Sequence, residues 1–512
     1  MSQRSRTQNA MINAMAGSSM QVLNVAIGFI SRTIFIYLLN SDYLGVNSLY
    51  TNILNVLSFA ELGIGSAIVF SLYKPIAEND RNKIHALMKF YRTAYWIIGS
   101  VIFFAGICVI PFMNYIIKNP PDVKENLILV YFLFLFNTSV SYFFSYKKTL
   151  ITANQKDYLV QIYTNLFQLL KMALATVLLV LTHEYLVYLV VQIFCTIALN
   201  VSLSLKADKL YPFLRDRNDS RLSKKERSSI FSNVQALFIY KFGSVVLNGT
   251  DNIIISSLIN ISAVGVASNY TMLTSSVSNV IGQAINSLTA SVGNLSVQGE
   301  KDQIKSVMHE LLLLCVWLYG FIAIGFAVLA NDFVYLWLGT NYVLQNSVVM
   351  AIVFSLYING VQYAAYTFRT TQGLFRQSRF VPLISALLNI VLSIWWGKLF
   401  GLAGIFVATG VSRLLTTTIV DPWLVYKNNF NERPYEYYCR YMMETCGVIM
   451  NYFFQIWVLS LIHLDGWTGF FIKFFIVCIT INLVSLLEFF WTREFKGLKN
   501  RFLLLLRKKV LK

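Results

Sequence analysis

The sequence predicts an all-α integral membrane protein with about fourteen transmembrane helices, arranged as two pseudo-symmetric six-helix bundles followed by two C-terminal helices. The first supporting observation is composition: the 512 residues are 56% hydrophobic and 13% charged, with a mean hydropathy of +0.58. A water-soluble protein of this composition would have too little polar surface. The other two observations are an alternation of basic and non-basic connections along the chain and an internal sequence repeat.

The span count follows from apolar runs, because a membrane-spanning helix needs roughly 20 mostly apolar residues. The runs lie at about 11–39, 43–72, 87–111, 126–147, 158–181, 185–205, 229–259, 262–293, 307–330, 345–368, 380–399, 402–426, 440–462 and 467–490. The start of the chain lacks the compact apolar segment and small-residue cleavage site of a signal peptide. The first span is therefore expected to be retained.

The connections alternate in charge, and lysine and arginine accumulate in the cytoplasmic loops of membrane proteins. The basic segments are 4–6, 74–89, 147–156, 206–227, 301–305, 369–379, 427–440 and 493–512. The intervening segments, 40–42, 118–125, 182–184, 260–262, 331–342, 396–401 and 463–466, are short and carry little net positive charge. This pattern predicts cytoplasmic N- and C-termini and explains the net charge of +18 by topology. Nucleic acid is not a predicted partner, because the chain has no basic soluble domain.

The longest connection sets the predicted domain boundaries. These are an N-terminal six-helix bundle at 1–205, a basic cytoplasmic linker at 206–228, a C-terminal six-helix bundle at 229–426, two additional transmembrane helices at 427–490 and a basic cytoplasmic tail at 491–512. The tail has the composition of a helix that lies at the membrane interface.

The internal repeat lies in the first hairpin of each bundle. LLNSDYLGVNSLYT at 38–51 and LINISAVGVASNYT at 258–271 agree at seven of fourteen positions when shifted by 220 residues. Because each bundle has an even number of spans, the two copies are predicted to be parallel and related by an axis along the membrane normal. The alternative is coincidence between two short hairpins that each need a glycine for the turn.

No enzyme activity, cofactor or metal site is predicted. The four histidines are isolated near loop ends, and the six cysteines are scattered through apolar runs, so neither forms a metal-ligand spacing or a disulfide framework. The chain also lacks a glycine-rich phosphate loop of the GxxxxGK type, which argues against ATP hydrolysis.

Ionisable side chains inside the spans are the main functional candidates, because each costs about 2.5–3.5 kcal/mol at mid-membrane on insertion scales. Cations outnumber anions among them, which predicts a cationic cavity suited to a phosphate or pyrophosphate headgroup. The predicted headgroup-binding residues are Arg32, Lys171, Lys241 and Arg413, and the predicted coupling or charge-balancing residues are Glu61 and Asp251. Four others, Lys74, Arg369, Lys398 and Glu444, lie close enough to span ends to snorkel.

Two further predictions concern the first spans of each bundle. Amide side chains are dense there, and they either join helices or line a wet cavity that binds sugar hydroxyls. The predicted cavity residues are Asn24, Asn52, Asn248, Asn279 and Gln283. Under the 220-residue shift Asp251 falls one residue from the counterpart of Arg32, so the two are predicted to form an ion pair; pairing of Asp251 within its own bundle is the alternative.

Three stretches carry a family resemblance: ISRTIFIYLLNSDYLGVNSLY, SFAELGIGSAIVFSLYKPIAEND and LWLGTNY. Together with the layout of two six-span bundles plus two spans, they resemble the polysaccharide transporters. These are the Wzx-type flippases for O-antigen, capsule or exopolysaccharide repeat units, within the multidrug/oligosaccharidyl-lipid/polysaccharide (MOP) exporter superfamily. The resemblance implies a MATE-like fold that alternates between inward-open and outward-open states.

The resemblance also implies a function. The expected cargo is an undecaprenyl-pyrophosphate-linked oligosaccharide, moved from the inner to the outer leaflet of the bacterial cytoplasmic membrane for surface polysaccharide biosynthesis. Expected partners are this lipid-linked oligosaccharide, the membrane itself, a polysaccharide polymerase and glycosyltransferases, around a monomeric transporter in which Glu61 or Asp251 are candidates for H⁺ or Na⁺ coupling. Two alternatives stay open: a cation-coupled multidrug exporter of the same superfamily, and a non-transporting scaffold of the polysaccharide assembly machinery.

Overall fold

The structure is a computed structural model that describes residues 24, 26–58, 64–119, 121–154, 156–215, 222–224, 226–228, 238, 242–247 and 249–510. Every regular element in these ranges is helical, which confirms the all-α prediction. Eight of the described helices are long and apolar enough to cross a membrane. The chain divides into two compact units, Met1–Gly265 and Val266–Lys512.

Most helices of the first unit fall on the predicted spans. They are α1 (Ala26–Leu38), α2 (Ser41–Leu57), α3 (Ile64–Ala77), α4 (Arg81–Val109), α5 (Met113–Ile116), α6 (Leu127–Ser145), α7 (Lys148–Ala153), α8 (Asp157–Thr182), α9 (Tyr185–Leu210) and α10 (Asp251–Leu258). The four longest, α4, α6, α8 and α9, coincide with predicted spans three to six, whereas the short helices α5 and α7 lie in predicted connections. Among the four, α4 packs on α6, and α9 packs on both α6 and α8.

The two copies of the sequence repeat form matching helix starts. We call 38–45 the first elbow and 258–265 the second elbow; both belong to the first unit. In the first, the Asn40 side chain accepts hydrogen bonds from the backbone N–H groups of Asp42 and Tyr43. In the second, Asn260 accepts one from the N–H of Ala263 at 2.7 Å. Asparagine is a favoured N-cap because its oxygen satisfies helix N–H groups that have no intrahelical acceptor.

The two elbows pack on each other, and their contacts are reciprocal. A Cβ atom added at Gly45 would overlap the carbonyl oxygen of Ile261, and one added at Gly265 would overlap the carbonyl oxygen of Ser41. Ser41 and Ile261 are themselves equivalent under the 220-residue shift. The same is true of Asp42 and Ser262, whose side chains are hydrogen-bonded to each other. The repeated glycines therefore serve a close approach of backbones, not a turn.

The connection after α5 closes over the first elbow. The N–H of Asp122 donates to the Asp42 carboxylate at 2.6 Å, and Asn40 donates to the Asp122 carbonyl at 3.1 Å. The Tyr43 hydroxyl donates to Glu125 at 2.6 Å. Lys118 reaches the second elbow instead, donating to the carbonyl of Leu258 at 3.2 Å. One short loop thus binds both copies of the repeat.

The helices of the second unit continue the predicted order. They are α11 (Ile261–Gln298), which begins in the second elbow, then α12 (Lys301–Leu338), α13 (Asn346–Val361), α14 (Tyr363–Thr371), α15 (Phe375–Ser378), α16 (Val381–Leu415), α17 (Thr417–Asn429), α18 (Tyr435–Ser460), α19 (Gly466–Phe489) and α20 (Arg493–Val510). Helices α11 and α12 have 38 residues each, which at 1.5 Å per residue is about 57 Å. They are therefore longer than the roughly 30 Å hydrocarbon layer and longer than the spans predicted for them.

Helix α16 contains predicted span eleven and the first half of predicted span twelve, joined by a sharp turn. The turn is at Gly401, which has φ +62° and ψ −139°, values that favour glycine. On either side of it Asn389 donates to the hydroxyl of Thr409 at 2.9 Å, although the two lie 20 residues apart. The two halves therefore fold back on each other, as the predicted hairpin at 396–401 requires.

The two appended helices, α18 and α19, pack on α12. Ile324 and Leu329 of α12 share a buried cluster with Phe470, Val477 and Ile481 of α19. On α18, Asn451 donates to the carbonyl of Ile481 at 3.1 Å and to Ser485 at 3.2 Å. Interhelical amide bonds of this kind contribute about 0.6 kcal/mol each inside a membrane.

Candidate substrate-binding site

Predicted span twelve is interrupted just after its half-way point, next to a buried arginine. Helix α16 ends at Leu415, Thr416 leaves helical geometry with φ −117° and ψ −85°, and α17 begins at Thr417. Arg413 lies in the last turn of α16 and is 8% exposed. Interrupted helices at membrane depth leave backbone groups unpaired, so they occur where protein or a polar cavity can satisfy them.

Span ten stays helical through Gln362, where α13 meets α14 with φ −61° and ψ −19°. Side chains connect this position to the interruption in span twelve. Arg413 donates from Nη1 to the Asn359 Oδ1 at 2.6 Å, and Gln362 donates to the same oxygen at 2.8 Å. The Thr417 hydroxyl donates to Gln362 Oε1 at 2.6 Å. We call these four residues the paired-break cluster.

A second buried arginine lies nearer the predicted cytoplasmic ends of the same two spans. Arg369 of α14 and Asp421 of α17 are 1% and 2% exposed, with 3.3 Å between Nη1 and Oδ1. The guanidinium also lies 5.0 Å from the ring centroid of Tyr366, a cation–π distance. The prediction that Arg369 snorkels is wrong: it is held inside the unit by a carboxylate that the sequence analysis did not single out.

One feature of the sequence around Asp421 could have identified it as a candidate site residue. It precedes Pro422 within a predicted span, and that proline lies inside α17. An acid followed by proline is a costly pair of residues in an apolar helix, since proline removes one backbone donor and the acid must be neutralised or paired.

In the first unit, two of the predicted cations, Arg32 and Lys171, lie on helices that pack together. Asn24 donates to Asn165 at 2.8 Å, and the hydroxyls of Ser31 and Thr176 are 2.8 Å apart. These bonds join α1 to α8, which carry Arg32 and Lys171 respectively.

Both cations are half-buried, and both interact with α9. Arg32 lies in electrostatic range of Tyr188, and Lys171 lies in range of Cys195. The structure thus places the two predicted headgroup cations around one three-helix junction of α1, α8 and α9.

The amide residues predicted to line a cavity have mixed environments. Asn24 joins helices, as described above, and Asn52 is half-buried on α2, whereas Asn279 and Gln283 are exposed on α11. Asp251, the first residue of α10, is half-buried, and its pairing with Arg32 stays a prediction. Glu61, Lys241 and Asn248 lie outside the described residues.

Among the residues that the structure describes, no group of three or more histidine, cysteine, aspartate or glutamate side chains is placed to hold a metal ion. The chemistry available in the paired-break cluster is hydrogen bonding and positive charge: guanidinium and amide donors, amide oxygens and a hydroxyl. Such a set can bind an anionic oxygen through charge-assisted hydrogen bonds.

The fold is that of solved transporters in the MOP superfamily. A lipid II flippase, MurJ, in an inward closed conformation matches with a TM-score of 0.68 at 13% identity, over 93% of this chain and 99% of that one. An inward-facing multidrug resistance MATE-family transporter of the MOP superfamily matches with a TM-score of 0.58 at 12% identity, over 80% and 96%. The Vibrio cholerae MATE transporter VcmN, in the bent form, matches with a TM-score of 0.54 at 13% identity, over 83% and 98%.

Sequence comparisons add no family. No family model matches the chain, and no curated protein matches it either. The likeness therefore lies in the fold, and it confirms the predicted MATE-like, MOP-type architecture.

Proposed function

We propose that this protein is a flippase that moves an undecaprenyl-pyrophosphate-linked oligosaccharide repeat unit from the inner to the outer leaflet of the bacterial cytoplasmic membrane by alternating access. The pyrophosphate binds the interior cations, the sugars occupy the polar cavity, and the lipid tail stays in the bilayer. The fold likeness to a lipid II flippase over nearly the whole of both chains supports a transporter of this general type.

The observation that carries the proposal is the position of Arg413. A guanidinium keeps its charge at any physiological pH, and this one lies buried beside the interruption of span twelve. Its hydrogen bond to Asn359 orients the guanidinium. An arginine oriented in this way is suited to bidentate recognition of a phosphate oxygen pair.

The charge balance of the predicted interior residues supports the same cargo. Arg369 and Asp421 add one cation and one anion to those predicted, so the surplus of cations is unchanged. A cation-coupled drug exporter, the first alternative, would need a net acidic cavity to attract its substrate. A membrane scaffold, the second alternative, would gain nothing from an arginine buried at a helix interruption.

The test is a leaflet-exposure assay on the purified protein in proteoliposomes, using a fluorescent oligosaccharide linked to a pyrophosphate lipid. Wild type is expected to move the lipid, and Arg413→Ala is expected to slow it about 10- to 100-fold, which corresponds to losing a hydrogen bond to a charged group. Arg413→Lys retains the charge without the planar fork, so an intermediate rate is expected.

The matched control is Lys398→Ala, because Lys398 is an exposed cation at the predicted outer hairpin of the same helix; its rate is expected to equal wild type. The proposal would be wrong if wild type did not move the lipid, or if Arg413→Ala moved it at the wild-type rate. Transport of a lipophilic cation by proteoliposomes that do not move the lipid would support the drug-exporter alternative.

A further inference from the structure

The C-terminal helix α20 presents chemically different faces. It starts at Arg493, only three residues after the last spanning helix ends at Phe489. In its first half Glu494 is buried, whereas Arg493, Lys496 and Lys499 are exposed. At 100° per residue, these three cations fall within about 120° of one another, on the side of the helix opposite Glu494.

The buried side of α20 is attached to the rest of the second unit by two ion pairs. Arg501 donates from Nε to Glu310 Oε2 at 2.6 Å, and Glu310, on α12, is only 4% exposed. Glu494 pairs with Arg440 near the start of α18. Because Glu310 is buried, breaking its pair would leave an uncompensated charge.

Packing fixes the rotation of α20 about its own axis. A Cβ atom at Gly497 would meet the Glu310 carboxylate at 2.5 Å, so the helix approaches α12 closely at that residue. The ring of Phe495 lies 5.9 Å from that of Trp317. With Glu494, Gly497 and Arg501 held against the unit, the helix cannot turn its cationic side inward.

The exposed side of α20 is positively charged because the acidic residue of the helix faces the rest of the unit. Glu494 is the one acidic residue in the sequence 493–510, and it is turned toward Arg440. The exposed lysines and arginine are held near the end of α19, since only residues 490–492 separate the two helices and the distance from Phe489 to Arg493 is at most about 14 Å. Anionic leaflets attract basic segments that lie within about a Debye length, which is 8 Å at physiological ionic strength.

We propose that Arg493, Lys496 and Lys499 form a docking surface for the anionic phospholipid headgroups of the leaflet that the charge pattern assigns to the cytoplasm. The ion pairs of Glu310 and Glu494 hold this surface in register with the bilayer. Binding of anionic lipid therefore stabilises the attachment of α20 to α12 and α18. This inference is independent of the cargo, because none of these residues belongs to the paired-break cluster or the three-helix junction.

The experiment measures backbone hydrogen exchange over 493–501 in the full-length protein, in nanodiscs of phosphatidylcholine with and without phosphatidylglycerol. Exchange is expected to be about tenfold slower in the anionic nanodiscs, because three surface cations interact with them. The triple variant Arg493→Gln, Lys496→Gln, Lys499→Gln is expected to exchange at the same rate in both. Inorganic phosphate added to the phosphatidylcholine nanodiscs is expected not to slow exchange.

A matched triple variant removes three exposed cations from other basic segments: Lys89→Gln, Lys148→Gln and Arg433→Gln. It should keep the tenfold ratio of exchange rates between the two kinds of nanodisc. Glu310→Gln should speed exchange in both membranes and reduce the ratio, because one of the two ion pairs that hold the cationic side toward the bilayer is lost. The proposal is overturned if wild type exchanges equally in both membranes, if the matched triple loses the ratio, or if inorganic phosphate alone gives the same protection. An undiminished ratio in Glu310→Gln would also overturn it, since the ion pair would then not orient the surface.

Discussion

Arg369 and Arg413 are two buried arginines of the second unit with different described partners. Arg369 lies against the carboxylate of Asp421, whereas Arg413 donates to the amide of Asn359. The first arrangement neutralises a charge and the second orients one. We therefore expect Arg369 to be important chiefly for stability and Arg413 chiefly for binding.

The ion pair can be tested by a double-mutant cycle. Arg369→Met alone leaves a buried carboxylate and Asp421→Leu alone leaves a buried guanidinium, so each is expected to destabilise the protein by about 3–5 kcal/mol. The double variant is expected to lose less stability than either single variant, because it buries no unpaired charge. Thermal unfolding in detergent measures all three, and additive losses would contradict a direct interaction.

At the scale of elements, the contact between the two elbows depends on the absence of two Cβ atoms. Gly45→Ala and Gly265→Ala each place a methyl group against a backbone carbonyl that cannot move independently. Each is expected to lower the free energy of unfolding by about 1–3 kcal/mol, as overpacking does elsewhere.

Gly325 of α12 provides the matched control for the elbow glycines. A Cβ there meets nothing within 4 Å, so Gly325→Ala is expected to be neutral or to stabilise by about 0.5–1 kcal/mol through helix propensity. Equal effects of the alanine at Gly45 and at Gly325, measured by denaturant or thermal unfolding, would argue against the close approach.

The junction between α12 and α18 is expected to respond to acid. Lys305 donates to Glu436, 2.9 Å away, and lowers the pKa of that carboxyl to about 2; Arg440, at 3.0 Å, acts in the same direction. Glu436 is in the first turn of α18, before the predicted span. Because its pKa is lower in the folded protein than its ordinary value of 4.5, its contribution to stability is complete above about pH 4.5 and is lost as pH falls toward 2.

The measurement is the unfolding temperature of wild type and Glu436→Gln between pH 7 and pH 3. The difference in unfolding temperature between the two proteins is expected to shrink as pH falls, since protonation of Glu436 and its replacement by glutamine remove the same charge. Lys398→Gln is a suitable control, because it removes an exposed cation outside this junction; its difference in unfolding temperature from wild type is expected to stay constant over this pH range. A constant difference between wild type and Glu436→Gln across this range would contradict the assignment.

At the scale of the whole molecule, the proposed alternating access predicts that the elbows separate when the protein opens toward the outside. Asp42 and Ser262 are hydrogen-bonded across that contact, so cysteines at both positions are expected to form a disulfide. Oxidised Asp42→Cys, Ser262→Cys protein is expected to lose more than about nine-tenths of its flipping rate, since the bond must break in each cycle. Reduction is expected to restore it.

Wild type treated with the same oxidant is the control, because the chain has six native cysteines. Each single cysteine variant should also keep its rate. Full flipping by the cross-linked double variant would mean that the elbows stay together throughout the transport cycle.

Much of the architecture could be predicted from the sequence because membrane solvation dominates it. Apolar length places the spans, and most of the described helices lie on them; the orientation that the basic loops indicate stays a prediction. The interruption at Thr416 could not be predicted in the same way. Neither proline nor glycine occupies that position, and a side chain of another span, Gln362, bonds to the residue after it.

The site residues were predictable in type but not in environment. Arg413 was identified because a charge inside a span is rare, and its partner Asn359 was not, because amides are common in spans. Arg369 was misassigned since distance along the sequence from a span end does not show whether a neighbouring helix covers the side chain. Burial of this kind depends on helix packing, which one sequence without its contacts does not specify.

The reciprocal contact of Gly45 and Gly265 also has a consequence for the history of the chain. Two copies that arose by duplication would ordinarily be free to diverge, since each would need only to fold. Here each copy packs against the other, so a bulkier residue at either glycine disrupts the packing of both copies. These two glycines are identical in both copies because neither can be replaced by a larger residue while the elbows stay in contact.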